Sequence, residues 1–155
     1  MIDSQILKIN ENYTIDVSRE TLEKLDEYSK DIILRNREIN LISKSTEKSI
    51  KLRHIIDTAQ TIDFIDKNDI KRCTDLGSGA GLPGMVLGIL MNSKKPLFKV
   101  IFYEKSYHKS IFLKKISKKF KLNTEIYQKN IFNEKNLITD VIISRAFKPL
   151  PIIFK

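Results

Sequence analysis

The sequence predicts an α/β fold: an open parallel sheet flanked by helices and preceded by a helical cap. Three observations carry that expectation. From about residue 71 onward, stretches with strand and helix character alternate, the rhythm of a parallel sheet with crossover helices. One of the strands, "LFKVIFYE" (97–104), is apolar almost without interruption, as expected of a sheet covered on both faces. All five glycines (Gly77, Gly79, Gly81, Gly84 and Gly88) fall within a single stretch, "GSGAGLPGMVLG". Glycine concentrated in one place marks a backbone that turns sharply or meets a ligand closely.

The elements follow in order. Residues 19–36 form an amphipathic helix, with Ser18 as N-cap and Leu22, Leu25, Ile32 and Ile33 on one face. Ile55, Ile56, Ala59 and Ile62 keep helical spacing in a second helical region, about 46–65. "KRCTDLG" reads as the first strand of the sheet, and Pro83 to Met91 as a helix with proline in its first turn. After the strand at 97–104 come a lysine-rich helix (106–120), a strand "NTEIYQ" (123–128) and a strand "DVIISRAF" (140–147). Residues 1–68 are thus expected to form the cap and residues 69–155 the sheet, together one compact domain.

Composition narrows the classes. The 155 residues are 41% hydrophobic, enough to build a core, and no apolar run approaches the length of a transmembrane helix. The first twenty residues are too polar for a signal peptide. Cys73 is the single cysteine, so no internal disulfide is expected, nor any cysteine cluster for zinc or another metal. Together these point to a cytoplasmic protein. A formal net charge of +9 favours polyanionic partners such as nucleic acid.

The glycine stretch follows a strand and opens a helix, the setting in which G-x-G-x-x-G signals an adenosine-bearing cofactor. Glu104 ends the next strand, where an acid accepts ribose hydroxyls. S-adenosylmethionine carries an ammonium and a sulfonium, and Asp75 at the strand tip offers a carboxylate to that cationic end. A pyrophosphate would instead be repelled there, so S-adenosylmethionine is expected over NAD. A nicotinamide-dependent oxidoreductase is the lesser alternative.

With these residues in view the chain resembles the RsmG (GidB) family, bacterial methyltransferases acting on N7 of a guanine in 16S ribosomal RNA. The likeness rests on "INLIS" (39–43), "RHIIDT" (53–58), "DLGSGAGLPG" (75–84), "YEKSYHKSIFL" (103–113) and "ISRAF" (143–147). It implies a Rossmann-like S-adenosylmethionine-dependent methyltransferase sheet. It also implies cofactor contacts at Gly77 and Leu82, at Glu104 for the ribose, at Asn130–Ile131 for the adenine, and at Arg145; Asp75 and Gly79 join them from the motif. "QKNIF" departs from the acidic residue usual near the end of the third strand. Members of the family continue with another helix and further strands. The sheet is therefore expected to lack its later strands and the chain to be marginally stable or to associate, and a shortened, non-catalytic RNA-binding relative is the second alternative.

Guanine N7 carries an in-plane lone pair and no proton, so its methylation requires orientation and a dry pocket rather than a base. Arg145, at the tip of the last strand, is a candidate for guanine O6, an RNA phosphate or the cofactor; a surface ion pair is the plain alternative. His54 and Asp57 are candidate site residues, and Arg53 beside them a candidate RNA contact; a histidine near an apolar face is more often a core residue. Seven lysines lie between Lys105 and Lys121. Lys109, Lys114 and Lys118 among them are candidate phosphate contacts, against the plain reading of a solvated helix face. The expected partner is 16S ribosomal RNA or a precursor of the small ribosomal subunit, with no membrane and no obligate protein partner evident.

Overall fold

A computed structural model describes residues 4–8 and 11–153. The chain opens with an antiparallel hairpin of β1 (Ser4–Lys8) and β2 (Thr14–Ser18). The expected cap contained no strand. In β2, Ile15 and Val17 are buried and alternate with exposed Thr14 and Asp16, the period of a half-buried strand. Helix α1 (Arg19–Asn36) has the expected bounds, and the Ser18 hydroxyl accepts from the Thr21 N–H at 3.1 Å.

The single helix expected over 46–65 is broken into α2 (Lys44–Glu47), a π-helical turn (Lys51–Ile56), α3 (Asp57–Ala59) and α4 (Ile62–Lys67). Two threonines help to account for the breaks. The Thr58 hydroxyl donates to the His54 carbonyl at 2.6 Å and that of Thr61 to the Thr58 carbonyl at 2.8 Å. Such back-bonding competes with a regular ladder.

The sheet consists of β3 (Arg72–Leu76), β4 (Lys99–Tyr103), β5 (Thr124–Tyr127) and β6 (Val141–Ser144), all parallel, in the order β5-β4-β3-β6. Between β3 and β4 runs α5 (Gly84–Met91), every residue of it buried; α6 (Tyr107–Phe120) returns from β4 to β5. As expected, Phe112, Ile116 and Phe120 form the buried face of α6. A short α7 (Leu150–Ile153) follows β6. Cap and sheet share one core: Tyr28, Ile32 and Ile55 pack in the same cluster as Met85, Leu90 and Phe102. Lys119 ties α6 to α1 through Asp31 at 2.7 Å and Glu27 at 3.2 Å. The chain leaves β3 toward β4 on one side and reaches β6 on the other, so the strand order reverses beside β3. Ligands of open α/β sheets bind at that point, outside the carboxyl ends of the strands.

Candidate cofactor cleft

The loop after β3 is shaped by glycines at positive φ: Gly77 at 66°, Gly79 at 56° and Gly81 at 89°. Most of its amides are consumed within the protein. Gly77 N–H and Ser78 N–H donate to the Tyr103 carbonyl at 3.0 and 3.3 Å, and Gly81 N–H to the Ser78 carbonyl at 2.7 Å. Gly79 N–H donates to Glu104 Oε2 at 2.8 Å, and Gly84 N–H to Asp75 Oδ2 at 2.8 Å. Glu104 Oε1 accepts from Ser106 N–H at 2.8 Å, so this one carboxylate joins the loop to the start of α6.

A cleft of about 420 Å³ opens at the carboxyl ends of the strands. It brings together Gly77, Glu104, Asn130 and Ile131, four of the residues expected to contact cofactor. Asn130 lines it while its side chain caps the 3-10 turn Ile131–Asn133, accepting from Phe132 N–H at 3.2 Å. The remaining wall went unforeseen: Tyr103, Lys105, Lys129, Phe132, Phe147 and Lys148 also line the cleft. Tyr103 stacks on Tyr127 with ring centroids 5.2 Å apart and donates to Glu134 at 3.0 Å. Lys129 pairs with Glu134 and lies over both tyrosine rings.

Several expected site residues are placed elsewhere. Asp75 is 1% exposed, beneath the loop rather than in the cleft, and its Oδ1 has no hydrogen-bond partner among the described residues. Burial pushes its carboxyl up to about 7; the Gly84 N–H opposes the rise and the charge of Glu104 adds to it. Leu82 is buried in the main core. Gly79 does not line the cleft wall, but its Cα faces open space: an added Cβ would meet nothing nearer than the Gly77 carbonyl at 3.9 Å. Arg145 is exposed, one residue before Ala146 and Phe147, which do line the cleft.

A family model described as rRNA small subunit methyltransferase G matches residues 21–155. The chain belongs to the rRNA small subunit methyltransferase G family. Its relatives include the ribosomal RNA small subunit methyltransferase G of Pelagibacter ubique, 47% identical over 94% of this chain and 71% of that protein. The protein of the same name from Rickettsia akari is 39% identical over 90% of this chain and 70% of its own length. That of Cereibacter sphaeroides is 37% identical over 88% of this chain and 65% of its own length. The chain thus spans about two thirds of the length of the relatives it matches.

For this methyltransferase G family member the remaining candidates divide in space. His54 is buried in the π-helical turn and Asp57 is exposed at the start of α3, and neither lines the cleft. α3 packs against α5, the helix that follows the glycine loop. The side chain of Arg53 lies outside the described residues. Lys109 is in the first turn of α6, nearest the cleft. Lys114 and Lys118 lie further along α6 and line a separate groove with Lys121, Leu122 and Thr124. Lys105, Lys109, Lys114, Lys118 and Lys148 have no carboxylate within ion-pair distance among the described residues. Among the described residues there is no group of acids, histidines and cysteine that would hold a metal, and no helix long and apolar enough to cross a membrane.

Proposed function

We propose that this chain binds S-adenosylmethionine in the cleft and directs its methyl group to N7 of a guanine in 16S ribosomal RNA, as a cytoplasmic enzyme. The observation that carries the cofactor reading is the inward turn of the glycine-loop amides. A pyrophosphate is held by free N–H groups, and here those of Gly77, Ser78, Gly79, Gly81 and Gly84 are already bonded inside the protein. What the cleft presents instead is the carboxylate of Glu104, which suits ribose hydroxyls and tolerates a cationic ligand. The open space at Gly79 fits close approach of a ligand to backbone. Asp75 supports the same ligand from beneath as a buried acid, not as a direct contact.

S-adenosylmethionine, when bound, supplies an electrophilic methyl group. The chain's task is then to bind, orient and exclude water, since the N7 lone pair needs no deprotonation. Glu104 fixes the ribose, and Asn130 and Ile131 border the adenine. Lys105 and Lys148 present positive charge at the cleft for the RNA backbone, and Arg145 beside them donates to phosphate or base. His54 and Asp57 contribute through the seating of α3 on α5. The acceptor is tested by methylating 16S rRNA with the full chain and digesting it to nucleosides. Mass spectrometry is expected to show 7-methylguanosine, and a methyl on any other nucleoside would refute the N7 assignment.

Glu104→Gln keeps one oxygen to accept from an N–H but loses the charge, whereas Glu104→Ala leaves Gly79 and Ser106 N–H without their acceptor. Calorimetry with S-adenosylhomocysteine is expected to show Glu104→Ala weakened by about 1–3 kcal/mol and Glu104→Gln in between. Equal affinity in all three proteins would remove Glu104 from the site.

Charge reversal tests the RNA surface in two places. Lys105→Glu with Lys148→Glu acts at the cleft, and Lys114→Glu with Lys118→Glu acts in the groove further along α6. For every lysine that neutralises a phosphate, its reversal is expected to lower the slope of log affinity against log salt by about 1. A slope unchanged in the α6 pair, with a decrease in the cleft pair, would leave Lys114 and Lys118 as a solvated face.

A further inference from the structure

The geometry points to Phe132 and Phe147 as an aromatic clamp for the acceptor base, an assignment that rests on the RNA-methyltransferase reading above. Phe147 reaches the cleft from the segment after β6, where Ala146 adopts a left-handed φ of 51°. Its ring lies on Gly77 so closely that an added Cβ there would stand 2.1 Å from Phe147 Cδ2. Phe132 comes from the 3-10 turn after β5, and the two rings are near parallel, with centroids 6.0 Å apart and planes at 17°. Phe132 is 49% exposed, a large apolar ring left in water at the wall of a cleft.

The chemistry of the acceptor asks for such a feature. In an RNA helix N7 lies in the deep, narrow major groove, out of reach of side chains, so a base methylated there has to be splayed from the stack. Enzymes that take a base from the stack hold it between aromatic or apolar side chains. Carbon atoms in contact sit about 3.5 Å apart, so a planar base between two rings needs a spacing of about 7 Å. The rings of Phe132 and Phe147, 6.0 Å apart between centroids, already pair with each other, so a base enters as the exposed Phe132 yields.

A purine in the clamp has two possible sources, the cofactor's adenine and the acceptor guanine. Glu104, at the tip of β4, is the ribose acceptor, and Asn130–Ile131 follow β5, so adenine lies toward β5. The other end of the cofactor then lies over β3 toward β6, the side on which Phe147 touches Gly77. Phe147 is therefore placed at the methyl-bearing end, and Phe132, next to Ile131 in the turn after β5, meets it from the adenine side; the position of Phe147 assigns the clamp to the acceptor.

The test uses the full chain with a 16S rRNA transcript at saturating S-adenosylmethionine, and S-adenosylhomocysteine calorimetry in parallel. Phe147→Leu and Phe132→Leu are each expected to lower kcat/KM for RNA roughly tenfold or more, the scale of one base–aromatic stack. Cofactor affinity should stay at the parent value, and Phe132→Tyr should restore turnover. Should Phe147→Leu lose its cooperative melt, Phe132→Leu, at an exposed ring, carries the test. A Phe132→Leu protein as active as the parent overturns the clamp. So does a loss of S-adenosylhomocysteine affinity in step with activity, which would give the rings to adenine. A parent chain that binds no S-adenosylhomocysteine, or binds it and methylates no RNA, overturns the functional reading itself, before any variant is compared.

Discussion

Replacing Gly84 with alanine is expected to destabilise the protein by about 3 kcal/mol, at the upper end of what overpacking a core costs. Gly84 begins α5 directly over β3 and β4. An added Cβ would lie 2.5 Å from Phe102 Cε1 and 2.6 Å from Asp75 Oδ2. Phe102 is fully buried at the centre of the sheet and Asp75 is 1% exposed, so neither has space to withdraw. Any shift of α5 that relieves the clash also pulls the Gly84 N–H from Asp75 and strands a carboxylate. Gly88→Ala is the matched control on the same helix. Its Cβ would make ordinary contacts, 3.5 Å to Leu122 Cδ1 and 3.7 Å to Val100 Cγ2. There alanine is expected to be neutral or to stabilise by up to about 1 kcal/mol through helix propensity. Urea denaturation measures both, and equal midpoints would show that α5 does not seat on β3 and β4 as described.

Asp75→Asn is expected to stabilise the protein at pH 8 and to make no difference near pH 4. In the folded protein the Asp75 carboxyl is pushed up to about 7 from an ordinary 3.8. Between those two values the folded state holds a proton that the unfolded state has released. The contribution of Asp75 to stability is therefore greatest below about pH 4 and is lost as pH rises through 7. Asparagine keeps an oxygen for the Gly84 N–H and removes the charge. The gain at pH 8 is expected to be roughly 2–4 kcal/mol, allowing for relaxation around the ion. Denaturation series at pH 4, 6 and 8 read this directly. A variant less stable than the parent at pH 8 would mean that the ionised carboxylate has a donor in solution beyond Gly84.

Asp75 also illustrates what is legible in the sequence. That an acid belongs beside the glycine loop is readable; where it points is not. Side chains alternate along a strand, so Asp75 shares a face with Cys73, a small core residue, and both lie under α5. The same period marks β2, where Ile15 and Val17 alternate with polar neighbours, but in β1 the two apolar residues, Ile6 and Leu7, are adjacent and show no alternation, so the partner strand is not visible. Helix α1 is readable to the residue because cap, spacing and length agree. The region from 46 to 65 is not, because its apolar spacing is helical while its threonine hydroxyls draw the backbone into shorter turns. Of the cleft, Glu104 and Gly77 are legible through their positions at strand tips. The aromatic wall is not, since periodicity reports burial within an element and is silent on which distant loops meet. Phe147 closes the "ISRAF" stretch, but nothing in its neighbours announces Gly77.

The bonds from Gly77 and Ser78 to the Tyr103 carbonyl, and from Gly79 to Glu104, join the loop after β3 to the tip of β4. The loop and Glu104 are consequently one preorganised unit, ordered when the sheet forms rather than when a ligand arrives. Little backbone freedom remains there to be given up on association, which favours affinity without any added contact. Phe147, whose ring lies on Gly77, rests on that unit, whereas Phe132 keeps half of its surface in water, so rearrangement on association is expected at Phe132 rather than in the loop.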